Sequence, residues 1–220
     1  GKVKATIGNG SRKKLQAVIS GPASDTLSYR LSGSYVDHDG YLKNTFLDTE
    51  ADPYTDETIR GRLNWRPNEE LTIDFRASKT QTEGGSLNFV LQENCGETNG
   101  CFSGDGVYES AAADDTSTPI TASRVGINDR DITNASIKVD YELDFATLTS
   151  ITAWTDQEEF YAADAYPYDC GPVCSAADLR TFNTAFGDIP LDSNQLVKVS
   201  TDIETVSQEV RLTSSDDQNL

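Results

Sequence analysis

The sequence predicts an all-β protein, an antiparallel meander forming part of a transmembrane β-barrel with long extracellular loops. Three observations carry this. Apolar and polar residues alternate with period 2 in segment after segment, with almost no 3.6-residue pattern. Short and long connections alternate along the chain, which sets tight turns at one end and long loops at the other. The polar positions carry arginine and lysine opposite a continuous aliphatic and aromatic face, as a wall between lipid and water requires. A soluble antiparallel sheet packed on a core shows the same alternation. A secreted β-sandwich serving adhesion or carbohydrate binding is therefore the second reading. Two features favour the barrel: sandwiches vary loop length at both ends, and Trp65 and Tyr141 sit beside short turns, where an interfacial girdle lies.

Taken in order, the first strand alternates Val3, Ala5 and Ile7 with Lys2, Lys4 and Thr6. The second, Lys14 to Ser20, is less regular. The third sets Leu27, Tyr29, Leu31, Gly33 and Tyr35 against Ser28, Arg30, Ser32 and Ser34. In the fourth, Ile59, Gly61, Leu63 and Trp65 oppose Arg60, Arg62, Asn64 and Arg66. The fifth opposes Leu71, Ile73, Phe75 and Ala77 to Thr72, Asp74, Arg76 and Ser78. The sixth opposes Ala135, Ile137, Val139 and Tyr141 to Asn134, Ser136, Lys138 and Asp140. Two looser strands follow, Ala146 to about Phe160 and Thr205 to Thr213. In the last, Gln208 interrupts the apolar face and Ser207, Glu209 and Arg211 form the polar one.

This alternation assigns two faces. Lipid would meet Leu31, Ile59, Leu63, Trp65, Ile73, Phe75, Ile137, Val139 and Tyr141. The lumen would hold Arg30, Arg60, Arg62, Asp74, Arg76, Lys138, Asp140, Glu209 and Arg211. Those charges either pair with one another across neighbouring strands, the commoner fate on one sheet face, or touch whatever fills the lumen. The short links are 8–12, 21–26, 67–70 and 142–145; the long ones run over about 43–55, 83–131 and 161–204. After the first link, short and long alternate strictly.

Charge concentrates in the loops. The chain of 220 residues has 18 basic and 36 acidic side chains, a net charge of −18, and the long loops, counted over 43–55, 83–131 and 161–202, account for −13 of it. A chain this acidic excludes nucleic acid as a natural partner. Tyr108, Tyr161, Tyr166, Tyr168, Phe182 and Phe186 lie among the loop acids, a combination that suits a ring-bearing or cationic ligand. Solvation, or bridging to lipopolysaccharide through divalent ions, is the simpler fate of those acids. Cys95 with Cys101 and Cys170 with Cys174 form two close pairs in polar loop sequence, which reads as an exported protein with local disulfides. Metal binding needs tighter spacing and further ligands, and the single histidine, His38, is remote in sequence. The 36% apolar content is low because large polar loops ride on a thin lipid-facing band. No stretch approaches eighteen consecutive apolar residues, which excludes a membrane helix.

Several segments also resemble a family. Gly8-Asn9-Gly10, Ala17-Val18-Ile19-Ser20-Gly21-Pro22, Asp25-Thr26-Leu27, Arg30-Leu31-Ser32-Gly33-Ser34-Tyr35 and Asp39-Gly40-Tyr41-Leu42-Lys43-Asn44 resemble the early barrel strands of TonB-dependent outer-membrane receptors. Arg60-Gly61-Arg62-Leu63, Leu148-Thr149-Ser150-Ile151-Thr152-Ala153-Trp154 and Ser207-Gln208-Glu209-Val210-Arg211-Leu212 are similar to later strands, in the same order. The resemblance implies a twenty-two-stranded barrel filled by a plug domain, importing scarce nutrients, usually iron chelates, with energy relayed by TonB. Its implied partners are outer-membrane lipid and lipopolysaccharide, TonB through the plug, and the nutrient ligand. No TonB box, plug or terminal aromatic residue is present, and no methionine. Residues 1–220 are therefore expected to be one interior piece of the barrel, about eight strands from near its start.

No sequence motif points to an enzyme or to a cofactor. Asp37-His38-Asp39-Gly40 resembles the start of a calcium loop but lacks the third acid and the distal glutamate. There is no phosphate loop, no nucleophile elbow, no second histidine for a triad, and no context that nominates a glycosidase carboxylate pair.

Overall fold

The computed structural model of the chain describes residues 1–45, 47–85, 120, 122, 125–164, 181–184, 187–190 and 196–214. The strands in chain order are β1 (Lys2–Ile7), β2 (Lys13–Pro22), β3 (Leu27–His38), β4 (Lys43–Asn44), β5 (Thr49–Glu50), β6 (Tyr54–Trp65), β7 (Leu71–Gly84), β8 (Ile127–Leu143), β9 (Ala146–Asp164), β10 (Thr181–Thr184), β11 (Gly187–Pro190) and β12 (Leu196–Ser214). Eight of them form one antiparallel sheet in the order β1-β2-β3-β6-β7-β8-β9-β12. The pairs β4–β5 and β10–β11 are small hairpins inserted in long connections. No helix occurs among the described residues.

Turn chemistry explains the short links. At the hairpin joining β1 to β2, the Gly8 amide donates to the Arg12 carbonyl at 2.9 Å, and Gly10 and Ser11 take positive φ values of 65° and 54°. Between β2 and β3 the Ser24 hydroxyl accepts from the Leu27 amide at 3.1 Å. The Asn68 side chain accepts from the Leu71 amide at 2.8 Å before β7, an Asx-type turn. The links after β2, β6 and β8 lie at one end; the three long ones lie at the other, together with the first short hairpin.

The strands run further toward the long-loop end than the alternation predicts. The predicted loop over about 43–55 shifts to 39–53, between His38 and Tyr54, while those over about 83–131 and 161–204 contract to the gaps between Gly84 and Ile127 and between Asp164 and Leu196. Part of the acidic charge ascribed to loops, including Glu83, Asp129, Asp131 and Asp202, therefore stands on strands. On β7 and β8 these extensions are mostly polar on both faces, so the period-2 contrast fades while the backbone ladder continues. On β12 the contrast inverts, with Val197, Val199 and Ile203 sharing the face of Glu209 and Arg211, and Lys198, Ser200, Asp202 and Glu204 on the other.

Register sorts the side chains onto two faces, because residues directly opposite share a side. Arg30 faces Arg62, which faces Arg76, and Ser32 faces Arg60. Asp74 faces Lys138, Thr72 faces Asp140, and the polar face continues through Thr149 and Ile151 to Arg211 and Glu209. All nine charged residues predicted for one face share it, and the nine predicted apolar residues share the other. A cavity of about 620 Å³ is lined from Arg30 and Ser32 on β3, across Arg60, Arg62 and Arg76, to Asn134 on β8 and Thr155 on β9. On β7 the polar-face residues Asp74, Ser78, Thr80 and Thr82 are more covered than Phe75, Lys79, Gln81 and Glu83 on the other face, and together with this hollow across five consecutive strands that marks a sheet curled around its polar face.

The apolar face is thus convex, and it is bare: Ile59 is 57% exposed, Leu63 45% and Phe75 41%. The buried apolar side chains among the described residues are mostly small, Val36, Ala51, Ile120, Ala146, Ala162 and Ala163, and lie near strand ends or in the loop region. Gln208, which breaks the apolar pattern on β12, lies opposite Thr152 and pairs with it; its amide also donates to the Ser150 hydroxyl at 3.0 Å. The polar interruption is thereby satisfied within the face rather than left unpaired. Toward the long loops the same convex face changes abruptly to a charged tier, with Glu57, Asp131, Glu158 and Asp202 in one register row.

Candidate functional site

Two regions gather functional chemistry, the concave polar face and the rim at its long-loop end. On the concave face Asp74 is only 5% exposed and lies between two cations. Its Oδ2 accepts from Arg62 Nε and its Oδ1 from Arg76 Nε, each at 2.6 Å, while Asn64 Nδ2 approaches Oδ2 at 3.4 Å. On β8 the carboxylate of Asp140 takes Lys138 Nζ at 2.8 Å and the Thr149 hydroxyl at 2.7 Å. Nearer the rim Arg130 reaches Glu159 at 2.9 Å, and on β12 Arg211 pairs with Glu209.

Cross-strand and same-strand pairing therefore accounts for Arg62, Asp74, Arg76, Lys138, Asp140, Glu209 and Arg211. Arg30 and Arg60, from the same predicted set, pair with no carboxylate among the described residues. They line a cavity of about 460 Å³ together with Lys2, Lys4, Gln16, Ser34 and Thr58.

The rim is built on the connection from β3 to β6. Asp52 Oδ1 accepts from the backbone amides of Tyr41 and Leu42, both at 2.8 Å, and the Ala51 amide returns to the Leu42 carbonyl at 2.7 Å. Gly40 adopts φ +121°, and a Cβ there would stand 2.6 Å from Asp52 Oδ1. An alanine at Gly40 should strain the backbone and displace the Asp52 clamp, costing about 1–3 kcal/mol locally. Amide exchange at Tyr41 and Leu42 should then speed up about tenfold or more, while exchange in β8 stays unchanged.

Asn44 is 1% exposed and joins this connection to the next one. Its Nδ2 donates to the Ala122 carbonyl at 2.8 Å, its Oδ1 accepts from the Leu47 amide at 3.1 Å, and the Thr45 amide donates to the Ile120 carbonyl at 2.8 Å. On the exposed hairpin β4–β5, Lys43 and Asp48 meet at 2.7 Å. That hydrogen bond lowers the Asp48 pKa and raises that of Lys43. A depressed carboxylate pKa stabilises the clip above the ordinary value, and the clip opens as pH falls through the lowered one. An NMR titration of the Asp48 carboxyl should find its midpoint below the usual 3.8, and Lys43→Ala should return it there.

His38 faces Tyr54 across β3 and β6, with ring centroids 5.5 Å apart, and lies 5.1 Å from the Tyr41 ring. The histidine of the calcium-like stretch is thus part of an aromatic group. The Asp39 amide beside it donates to the Gly10 carbonyl at 3.0 Å, which ties the first hairpin to the rim. Of the loop aromatics singled out from sequence, Tyr161 lies on β9 and Phe182 in β10; Tyr108, Tyr166, Tyr168 and Phe186 lie outside the described residues. So do Cys95, Cys101, Cys170 and Cys174, and with them both predicted disulfides.

The sequence reading missed Asn44, Asp52 and the grouping of His38, Tyr41 and Tyr54. The available signal was the density of Gly, Asn and Asp over residues 37–53, which marks a built turn but does not say which side chains close it. No family model matches the sequence.

Proposed function

We propose that this chain is about eight consecutive wall strands of a TonB-dependent outer-membrane receptor, a non-enzymatic importer of scarce nutrients such as ferric chelates. The observation that carries this reading is the bare convex apolar band, closed toward the long loops by a charged tier. From Leu27 to Tyr35 the convex face of β3 spans about nine residues, roughly 27 Å along the strand and roughly 20 Å along the axis of a barrel tilted by about 40°. That height is close to the roughly 25 Å apolar band of an outer-membrane barrel, with Trp65 and Tyr141 at its lower edge and acids at its upper one. The free edges of β1 and β12 would be met by further strands of the same wall. The paired charges of the concave face would hold the lumen side rigid and wet, facing a plug, and the rim would meet ligand outside the cell. The acidic convex tier suits divalent cations that bridge to lipopolysaccharide, and energy would come from TonB through the plug.

Spin labels at Leu63 and Arg62 test the reading. A lipid-soluble relaxation agent should reach the label at Leu63 and an aqueous agent the label at Arg62. A label at Leu63 shielded from both agents would instead place that face in a dry core, as in a secreted sandwich, and overturn the proposal.

A further inference from the structure

The turn joining β1 to β2 holds a reactive pair that the wall itself does not use. It reads Gly8-Asn9-Gly10-Ser11-Arg12, and among the described residues Asn9 is the one asparagine followed by glycine. The Gly8 amide donates to the Arg12 carbonyl at 2.9 Å, the Arg12 amide to the Asn9 carbonyl at 3.3 Å, and the Asp39 amide to the Gly10 carbonyl at 3.0 Å. Asn9 is exposed, and neither its carboxamide nor the Gly10 amide has a hydrogen-bond partner among the described residues. Those are the groups that combine when an asparagine deamidates, and glycine has no Cβ to crowd the attack.

Other asparagines lack this combination. Asn44 is buried and holds the Ala122 carbonyl and the Leu47 amide, and Asn68 accepts from the Leu71 amide. Asn64, Asn128, Asn134 and Asn183 lie in strands and are followed by residues with side chains. Asp39-Gly40 nearby forms the same ring only by expelling water from a protonated carboxyl, which is scarce in alkaline solution, and Gly40 is buried.

We propose that Asn9-Gly10 is a self-modification site that deamidates through a cyclic imide, with water as co-reactant, and thereby unties the first hairpin from the rim. The Gly10 amide loses its proton to solvent base and its nitrogen bonds to Asn9 Cγ. The Cγ–Nδ2 bond breaks, and ammonia leaves with a proton from water. Water then opens the imide at either carbonyl: one product is aspartate, the other isoaspartate, whose main chain is longer by a methylene. That length has nowhere to go, because a Cβ on Gly10 would already stand 2.6 Å from the Gly40 carbonyl oxygen and 2.8 Å from the Tyr41 ring. Isoaspartate therefore lifts the Gly10 carbonyl off the Asp39 amide. None of these steps depends on what the convex face meets.

The full folded chain, aged in mildly alkaline buffer and mapped by peptide mass spectrometry, tests this against a synthetic peptide of residues 4–15 as the unstructured reference. With both groups free, Asn9 in the chain should convert within about tenfold of the reference rate, whereas a bonded amide would wait for local opening. Asn64 and Asn134, held in the sheet, should lag by about tenfold or more. Mass separates deamidation from isomerisation at Asp39, which leaves the mass unchanged. In the aged chain, amide exchange at Asp39 should speed up about tenfold or more while β8 is unaffected. Asn9→Gln, whose longer side chain closes a less favourable ring, should age without either change. An Asn9 that stays intact while the reference peptide converts, or that converts no faster than Asn64, would overturn the site. Conversion that leaves Asp39 exchange unaltered would overturn its effect on the rim.

Discussion

Arginine at Phe75 should prevent stable folding into lipid vesicles. Phe75 faces Leu63 on one side and Ile137 on the other, in the middle of the convex band. On the proposed reading, in which this face meets lipid, a cation placed there costs about 2–4 kcal/mol, a large part of the stability of an ordinary domain. Thr205→Arg, at a similar height on β12 but on the concave face, should change stability by less than about 0.5 kcal/mol, as an ordinary wet surface position does. Urea titrations of both variants in vesicles, followed by tryptophan fluorescence, measure the contrast. Equal losses at the two positions would mean that the two faces have the same surroundings, which is incompatible with a membrane wall.

Asp74→Ala should produce the largest loss on the polar side. The carboxylate is buried, both of its oxygens are engaged by arginine, and it is the one acid beside the row Arg30, Arg62 and Arg76. Hydrogen bonds to charged groups are worth about 1.5–3 kcal/mol each. Both guanidinium groups are about half exposed, so solvent screening reduces the combined loss to about 2–3 kcal/mol. Adding Arg76→Ser should recover part of it by removing one of the opposed cations. Chemical unfolding of the single and double variants gives the coupling, and a double variant no better than Asp74→Ala would assign the loss to packing instead.

Within the apolar band the sequence was easy to read. Residues such as Leu63 and Arg62 differ sharply in kind and can only belong to opposite faces of a strand, so five of the eight strands and their two faces follow from pattern alone, while β2, β9 and β12 alternate less regularly and β12 is interrupted at Gln208. Beyond the band the contrast is lost. Asp129 and Arg130, or Asp156 and Gln157, are polar on both sides, and the ladder that holds them shows only in the paired backbones of β8 and β9. The rim was less legible still. Asp52 serves amides ten and eleven residues away, and Asn44 holds a carbonyl 78 residues along the chain.

The amino-acid sequence by itself therefore determined which residues form strands within the band, which share a face, and that short turns and long loops segregate. These are local properties, set by period-2 geometry and turn residues. Only the tertiary structure decided which face is hollow, and which charges find partners. Curvature depends on how eight strands twist together, and pairing depends on the register that brings Arg62 and Arg76 to one Asp74 while leaving Arg30 and Arg60 without an acid. Those are relations between strands, and no single strand's sequence contains them.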